Sequence, residues 1–289
     1  MMGFNLQKTK RHFTEVLAET FSRREAEQLM RMLLEDLFGI DLKRMLLEPE
    51  MCIDEIQHAR LGEAVRRLCN GEPIQYVTGV ARFDEMVLHV DDSVLIPRPE
   101  TEELVQMAAA SAPMDRPLRI WDVGTGSGCI AIALAKRLPQ ADVKAFDVSE
   151  KALETASQNA TLNEVAVDFI CDDVLHPQSE IWLQPVDVVV SNPPYIRESE
   201  KTAMERNVLD HEPLTALFVP DDDPLLFYRH ILTLAKPQLN SHGTIWFEIN
   251  EAMGEEMAQL GRSLGFKANL FKDYQGKPRF MSMHFPQNL

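Results

Sequence analysis

The first seventy residues carry apolar positions at helical spacing. The stretch SRREAEQLMRMLLEDLFG opens with Ser22 and Glu25 in capping-box spacing and closes at Gly39, a residue suited to the position after a helix. Inside it the apolar residues form one stripe, made of Ala26, Leu29, Met30, Leu33, Leu34 and Leu37. A second such segment runs from about Ile53 to Leu68. Because these stripes must be buried against one another, the sequence predicts a small helical bundle.

The spacing of apolar residues becomes strand-like from Val80 to Ile96. The stretch VARFDEMVLHV reads as two short strands around Asp84 and Glu85, which predicts a β-hairpin. A helix is expected next in RPETEELVQMAAA, because Pro99 suits a first helical turn and acidic residues cluster there.

After Leu118 the chain alternates between strands and helices. Buried strands are predicted in RIWDVG, VKAFDV, VDFICDD, VDVVVSN and TIWFEIN, with helices between them and over Glu251 to Leu264. The last two apolar runs, ANLFKDY and RFMSMHF, have no helix between them and predict an antiparallel pair. The fold class is therefore α/β, with a Rossmann-like, mostly parallel sheet. We divide the chain into a helical domain (1–79), a hairpin linker (80–97) and a sheet domain (98–289).

A glycine-rich turn follows the first strand of the alternating region. Gly124, Gly126 and Gly128 in DVGTGSG allow a tight turn and the close approach of a ligand to the backbone. Cys129 stands where the dinucleotide pattern G-x-G-x-x-G needs its third glycine, and no lysine follows as a P-loop requires. The turn therefore predicts a nucleoside site that is neither a dinucleotide site nor a P-loop.

Carboxylates end the next two strands. Asp147 ends the second, where folds of this type place a carboxylate on ribose hydroxyls; the alternative is that it caps the following helix. Asp172 and Asp173 end the third, and we expect Asp173 to contact the ligand while its neighbour caps a turn. Acidic groups around a glycine loop suit a positively charged ligand better than a pyrophosphate. S-adenosylmethionine, a nucleoside with a sulfonium, fits this description.

The fourth strand ends abruptly in VVVSNPPYI, at Asn192. An N-P-P sequence alone signals a turn, but here it lies beside the predicted nucleoside site. An amide or aromatic amine nitrogen is a poor nucleophile because its lone pair is delocalised. If its N–H groups were held by the Asn192 side-chain oxygen and the Pro193 carbonyl, the lone pair could be aimed at the sulfonium methyl. Tyr195 either stacks on the planar substrate group or packs in the core.

Charge and cysteine content exclude several classes of protein. The net charge of −16, from 45 acidic and 29 basic side chains, disfavours a partner with a phosphate backbone. The four cysteines lack a C-x-x-C pair or zinc-like histidine spacing, so we expect buried, reduced thiols and no metal site. No apolar run approaches the ~20 residues of a membrane span, and the start lacks a signal-peptide core. We expect a cytoplasmic monomer with no membrane contact and no direct nucleic-acid contact.

The motifs DVGTGSG, FDVS and SNPPYI together resemble class I methyltransferases that modify exocyclic or amide nitrogens. The wider text, including GEPIQYVTG, LIPRPETEELV and LLFYRHIL, is similar over nearly the whole chain to the release-factor glutamine methyltransferases (PrmC/HemK). This resemblance implies methyl transfer from S-adenosylmethionine to the side-chain nitrogen (N5) of the glutamine in the Gly-Gly-Gln motif of peptide-chain release factors. FVPDDDPLL, around the 219–224 loop, departs from the glycine-containing turn expected there.

The resemblance also implies roles for residues. The helical domain would help dock the protein substrate, and the glutamine would be held by Asn192, Pro193, Pro194 and Tyr195, with Asn192, Pro193 and Tyr195 as the catalytic group. The methyl donor would be held by residues from four strand ends: Gly124, Thr125, Gly126, Ser127, Gly128, Asp147, Asp173, Val174 and Asn192. Arg98, Glu100 and Thr101 are explained by a helix start, with ligand contact as the minority view. Glu248 could face the cleft and receives no role.

Alternative functions remain open at this point. A glutamine methyltransferase acting on a ribosomal protein would carry the same motifs and differ only in substrate. An adenine-N6 DNA methyltransferase uses the same N-P-P-Y arrangement on a flipped base, but it predicts a basic recognition domain, and the amino-terminal part contains many acids. A non-enzymatic binding module is disfavoured because the donor and acceptor motifs are both intact.

Overall fold

The computed structural model describes residues 3–113 and 116–286. The chain separates into two compact units. The first holds the chain up to Val80 together with Glu205–His211, and the second holds Ala81–Met204 and the chain from Glu212 onward. No helix within the described ranges is both long and apolar enough to cross a membrane. The glycine loop and Asn192 both belong to the second unit.

Helices form where apolar spacing coincides with end signals in the sequence. The predicted first helix is confirmed, because the Ser22 hydroxyl accepts a hydrogen bond from the Glu25 backbone N–H and Gly39 ends the helix with φ of 65°. The α-helices in chain order are α1 (Leu6–Leu17), α2 (Arg23–Phe38), α3 (Leu42–Leu47), α4 (Glu55–Cys69), α5 (Ile74–Thr78), α6 (Pro99–Ser111), α7 (Cys129–Arg137), α8 (Glu150–Leu162), α9 (Arg206–His211), α10 (Leu226–Ala235) and α11 (Gly254–Ser263). Short 3-10 helices span Glu180–Leu183, Glu198–Ala203 and Leu214–Ala216.

The strands include the five predicted parallel strands and the final pair. In chain order they are β1 (Phe4–Asn5), β2 (Cys52–Ile53), β3 (Val80–Phe83), β4 (Met86–His89), β5 (Arg119–Val123), β6 (Asp142–Asp147), β7 (Asp168–Cys171), β8 (Val186–Ser191), β9 (Ile196–Arg197), β10 (Phe218–Val219), β11 (Leu239–Glu248), β12 (Lys267–Lys272) and β13 (Pro278–His284). The predicted hairpin is confirmed as β3 and β4, which pair with each other. Asp84 and Glu85 both have positive φ in its turn, as a two-residue hairpin turn requires.

The first unit is a bundle of helices around one apolar core. Residues of α1, α2 and α4 meet in a cluster that includes Leu17, Met30, Leu34 and Leu61. The predicted second helix begins at Glu55, later than expected, because the preceding Asp54 forms a capping box and β2 pairs with β1. The apolar stripes predicted from the sequence are therefore buried against one another.

The second unit is built on a seven-stranded sheet of order β12-β13-β11-β8-β5-β6-β7. Strands β11, β8, β5, β6 and β7 run parallel, and β13 is antiparallel to both of its neighbours. The prediction of a mostly parallel sheet that ends in an antiparallel pair is confirmed. Chain order reverses direction between β5 and β8, and this is the point at which open α/β sheets bind ligands.

Alternate residues of the central strands enter two separate cores. Ile120 of β5 and Val188 of β8 belong to a cluster with α6 and α7, whereas Trp121 and Val189 belong to a cluster with α10 and α11. Because successive side chains of a strand point to opposite faces, the two clusters lie on the two faces of the sheet. Helices cover both faces of the sheet and hold the strands in place. The carboxyl ends of the strands are not covered by these helices and can form a site.

Two expectations need correction. The helix predicted from Glu251 begins at Gly254, because Asn250 accepts the backbone N–H groups of Ala252 and Met253 and forms a turn first. Cys129 is buried as expected, but Cys52 and Cys171 are exposed. Both lie in short strands at the edges of their sheets, and an edge strand covers its side chains less completely than a central one.

The position of Gly128 allows a prediction about stability. Its φ is +81°, and an added Cβ would lie 3.0 Å from both the Ala156 Cβ and the Ile132 Cδ1. Left-handed backbone costs a non-glycine residue about 1–2 kcal/mol, and the contacts add to this cost. We therefore expect Gly128→Ala to lower the free energy of unfolding, measured by urea denaturation, by more than the backbone cost alone.

Gly276→Ala is the matched control for this steric contribution. Gly276 has a similar φ of +84°, but no atom lies within 4 Å of the position of its Cβ. This variant should lose only the backbone contribution of about 1–2 kcal/mol. Equal losses for the two variants would show that close packing at Gly128 has no energetic importance.

Candidate active site

A cavity of about 710 Å³ lies at the carboxyl ends of β5, β6, β7 and β8. Its wall is completed by the segment Asp92–Arg98, by Thr101 in α6 and by residues near α10. Most residues predicted for the site line this one cavity: Gly124, Thr125, Gly126, Ser127, Asp147, Asp173, Val174, Asn192, Pro193 and Pro194. Gly128 and Tyr195 lie outside the lining.

The glycine loop is held against β6. The backbone N–H groups of Gly124 and Thr125 donate to the Phe146 carbonyl at 2.8 and 2.9 Å. The Gly126 N–H donates to Asp147 Oδ2 at 2.9 Å, and the other carboxylate oxygen accepts from the Ser149 N–H at 2.9 Å. Burial raises the pKa of Asp147, which these backbone donors counteract. Asp147 therefore shapes the loop and the start of α8 while lining the cavity.

Asp122 lies under the loop and has no access to solvent. Its Oδ2 accepts from the Thr125 hydroxyl at 2.6 Å and from the Ala131 N–H at 3.1 Å. Across residues 3–113 and 116–286, no partner lies within hydrogen-bonding distance of Asp122 Oδ1 or of the buried Ser127 hydroxyl. Burial raises the pKa of Asp122 to about 7, although the two donors oppose this effect.

The raised pKa of Asp122 predicts a pH-dependent stability. A carboxyl that binds its proton more tightly in the folded state contributes most below its unfolded pKa of about 4, and this contribution is lost as pH rises. The free energy of unfolding should therefore fall as pH rises from about 4 towards 7. Asp122→Asn, which carries no charge, should lack this part of the fall.

Urea unfolding at about pH 5 and about pH 8 checks this expectation. The control is Asp142→Asn, a change to an exposed carboxylate at the other end of the same sheet. It should keep the wild-type pH dependence. Parallel curves for Asp122→Asn and the wild type would contradict the assignment.

The two carboxylates after β7 hold their own turn. Asp172 accepts from the Trp182 indole N–H at 2.7 Å and from the Ser179 N–H at 2.7 Å. Burial would raise the pKa of Asp172, but these donors hold it below its usual value. Asp173 accepts from the Leu175 N–H and lies 2.9 Å from His176 Nδ1. Both carboxylates accept backbone N–H groups of this turn and both line the cavity, so the choice of Asp173 over Asp172 as the ligand residue stays a prediction.

Asn192 follows β8 and joins a chain of side-chain hydrogen bonds. Its Nδ2 lies 3.2 Å from the Thr101 hydroxyl oxygen, which lies 2.7 Å from Glu248 Oε2 at the end of β11. The Tyr195 hydroxyl donates to Glu248 Oε1 at 3.1 Å. Tyr195 packs against the core formed with α10 and α11, and burial raises the pKa of its hydroxyl well above the usual value. Thus Tyr195 takes the core-packing alternative in this structure.

Thr101 and Glu248 form a contact that the sequence did not predict. Thr101 was explained by the helix start, yet its side chain is only 2% exposed and contacts Asn192 and Glu248. Thr101 lies in the first turn of α6 and lines the cavity, and Glu248 is the last residue of β11; these positions near element ends were the available signal.

The segment before α6 is held by an acidic residue for which the sequence predicted no role. The buried Glu212 accepts from Arg98 Nη2 at 2.6 Å and from the Ile96 N–H at 3.4 Å. Arg98 therefore forms an ion pair, while Glu100 lies in the first turn of α6. In the 219–224 loop, Asp221 accepts from the backbone N–H and hydroxyl of Ser199 at 3.0 and 2.6 Å. The acidic stretch that departs from the family pattern is thus tied to its surroundings.

Comparisons with known proteins agree with these features. The profile described as "PrmC N-terminal domain" matches residues 10–79, and that described as "Methyltransferase small domain" matches residues 104–211. The release factor glutamine methyltransferase of Flavobacterium psychrophilum is 43% identical over 277 residues, which are 94% of this chain and 96% of the relative. The protein of the same name from Bacteroides thetaiotaomicron is 40% identical over 272 residues, with 94% and 97% covered.

A solved structure supports the fold. A methyltransferase from Pyrococcus furiosus aligns with a TM-score of 0.52 at 16% identity, over 77% of this chain and 98% of that one. This similarity concerns the sheet and its helices alone. The two full-length relatives carry the assignment: the chain belongs to the release factor glutamine methyltransferase family.

Proposed function

We propose that this chain transfers the methyl group of S-adenosylmethionine to the side-chain amide nitrogen (N5) of the glutamine in the Gly-Gly-Gln motif of peptide-chain release factors. One observation carries the proposal. The Asn192 side chain and the glycine loop face the same cavity, in a chain whose full-length relatives are named for glutamine methylation of release factors.

The cavity fits a nucleoside with a sulfonium. Its volume of about 710 Å³ suits a ligand of this size. The loop of Gly124 to Ser127 exposes backbone beside a buried hydroxyl, that of Ser127, which has no partner among the described residues. Asp147, Asp173 and Val174 complete the donor side, with Asp147 placed to accept from ribose hydroxyls. When bound, the donor supplies an electrophilic methyl group on sulfur.

On the acceptor side, the chain's own groups bind and orient the glutamine amide. The Asn192 side-chain oxygen and the Pro193 carbonyl would accept its two N–H groups, and Pro194 keeps this stretch of backbone restricted. Such acceptors stabilise the positive charge that develops on nitrogen as it is methylated. Because they also hold the amide in place, positioning supplies much of the rate. Tyr195 supports this arrangement from the core through Glu248.

The remaining assignments rest on the family and on composition. We propose that the helical domain, residues 1–79, docks the release factor, that residues 80–97 link it to the methyltransferase domain, 98–289, and that the enzyme acts as a cytoplasmic monomer. The net charge of −16 supports a protein substrate over a nucleic acid.

The test offers purified protein and labelled S-adenosylmethionine to a release factor, a ribosomal protein and duplex DNA in parallel. We expect label on the release factor, and on its Gly-Gly-Gln glutamine after proteolysis. A release factor with Gln replaced by Asn in this motif is the matched control and should remain unlabelled. Label on the ribosomal protein or the DNA, with none on the release factor, would refute the proposal.

A further inference from the structure

The Thr101 hydroxyl lies between the Asn192 side chain and the Glu248 carboxylate, at 3.2 and 2.7 Å. A hydroxyl has one hydrogen, and the Thr101 hydroxyl donates it to Glu248 Oε2. Its oxygen can therefore only accept from the other neighbour. Within the Asn192 amide only the NH₂ group donates. This logic fixes which end of the amide faces Thr101.

Glu248 is held as an acceptor by several groups. Its side chain is buried, with the residue 2% exposed, and its second oxygen accepts the Tyr195 hydroxyl at 3.1 Å. The Tyr228 hydroxyl donates to its backbone carbonyl at 2.9 Å. Burial raises the pKa of Glu248, whereas the donors Thr101 and Tyr195 and the charge of Arg279 favour its ionised form. Two hydroxyl donors on one carboxylate leave its position little freedom.

We infer that Thr101 and Glu248 are positioning residues that orient the Asn192 amide, with its NH₂ group towards Thr101 and its oxygen free for the methyl acceptor. The inference rests on the proposed function, in which that oxygen accepts an N–H of the substrate glutamine. In the reversed orientation the NH₂ group of Asn192 would face the N–H groups of the substrate glutamine, and two donors cannot form a hydrogen bond with each other. The reaction therefore requires one orientation of this amide, and residues outside the N-P-P-Y sequence are needed to set it.

Three variants separate the hydroxyl from its surroundings. Thr101→Val removes the hydroxyl at nearly constant volume, and Thr101→Ser keeps the hydroxyl while removing the methyl group. Glu248→Gln keeps the shape but adds a donor. If the new amide oxygen accepts from Tyr195, its NH₂ group donates to Thr101, whose hydrogen then turns to the Asn192 oxygen. This variant thus favours the reversed orientation.

The full-length enzyme is assayed for kcat and KM with release factor, and for donor affinity by calorimetry. We expect Thr101→Val and Glu248→Gln to lower kcat about tenfold or more, the scale of one well-placed hydrogen bond. Donor Kd and release-factor KM should change by less than about threefold. Thr101→Ser should retain kcat within about threefold of the wild type.

Each remaining outcome counts against the inference. A Thr101→Val enzyme with wild-type kcat, or a Thr101→Ser enzyme as slow as Thr101→Val, shows that the hydroxyl does not orient Asn192. If the donor affinity of a variant falls by as much as its kcat, the substitution has distorted the cavity and has not acted through the orientation of Asn192. If Thr101→Val fails to fold, the isosteric Glu248→Gln decides by the same criteria. A wild type that does not label release factor refutes the proposed function itself, a result distinct from these.

Discussion

Replacing Asn192 by alanine is expected to lower turnover on release factor by about a hundredfold or more, the scale observed when one charge-stabilising contact is removed from an active site. The substrate amide would lose one of the two acceptors that hold its N–H groups and stabilise the charge developing on nitrogen. Because the other groups predicted to hold the donor, such as Asp147 and the glycine loop, are unchanged, donor affinity should remain nearly intact. Single-turnover methylation and calorimetry measure the two quantities separately.

Asn269→Ala is the matched control for this change. Asn269 is also half-buried, lies in β12 of the same sheet and is outside the cavity lining. Its side chain makes one long hydrogen bond, 3.4 Å to the Ser282 hydroxyl, so turnover should stay close to that of the wild type. Unchanged turnover in Asn192→Ala would remove this residue from the mechanism.

The second large effect is expected for Asp147→Ala, on donor affinity. This carboxylate accepts from the Gly126 and Ser149 N–H groups, so its loss frees the glycine loop and removes the acceptor proposed for the ribose. Hydrogen bonds to a charged group contribute about 1.5–3 kcal/mol each. We therefore expect the Kd for S-adenosylmethionine to rise about tenfold to a hundredfold, as measured by calorimetry.

The control at the opposite end of β6 is Asp142→Ala. Asp142 is exposed, lies 3.5 Å from Lys144 Nζ and is outside the cavity lining. It should bind the donor with wild-type affinity. If Asp147→Ala also bound normally, the donor would have to be held elsewhere in the cavity, and the proposed donor side would be wrong.

The sheet could be predicted because its signals are local. Valine-rich runs, glycine turns and helical spacing each act within about ten residues, and the alternation of strand and helix then dictates a parallel sheet. Parallel strands carry their carboxyl ends at one edge, which is why Gly124, Asp147 and Asn192 were expected together and line one cavity. The topology of the sheet therefore predicted that these residues are neighbours, which no single motif could predict.

The hydrogen-bonded partners of Asn192 could not be predicted in the same way. Thr101 precedes it by 91 residues, and Glu248 lies 147 residues after Thr101. Periodicity tells which face of an element is buried, but it does not tell which polar side chain will be met there. The direction of Tyr195 was also open, because two prolines fix the backbone before it without deciding whether its ring points into the cavity or the core. Only tertiary packing settles such choices.

The amino-terminal unit is not one continuous stretch of chain, since Glu205–His211, with α9, is grouped with residues far upstream. If only the first eighty residues were replaced by those of a relative, the new helices would have evolved with that relative's α9 and would meet the α9 of this chain instead. Chimaeras between relatives should therefore be made with both pieces from one parent. This unit can be inherited intact only when both segments come from the same parent.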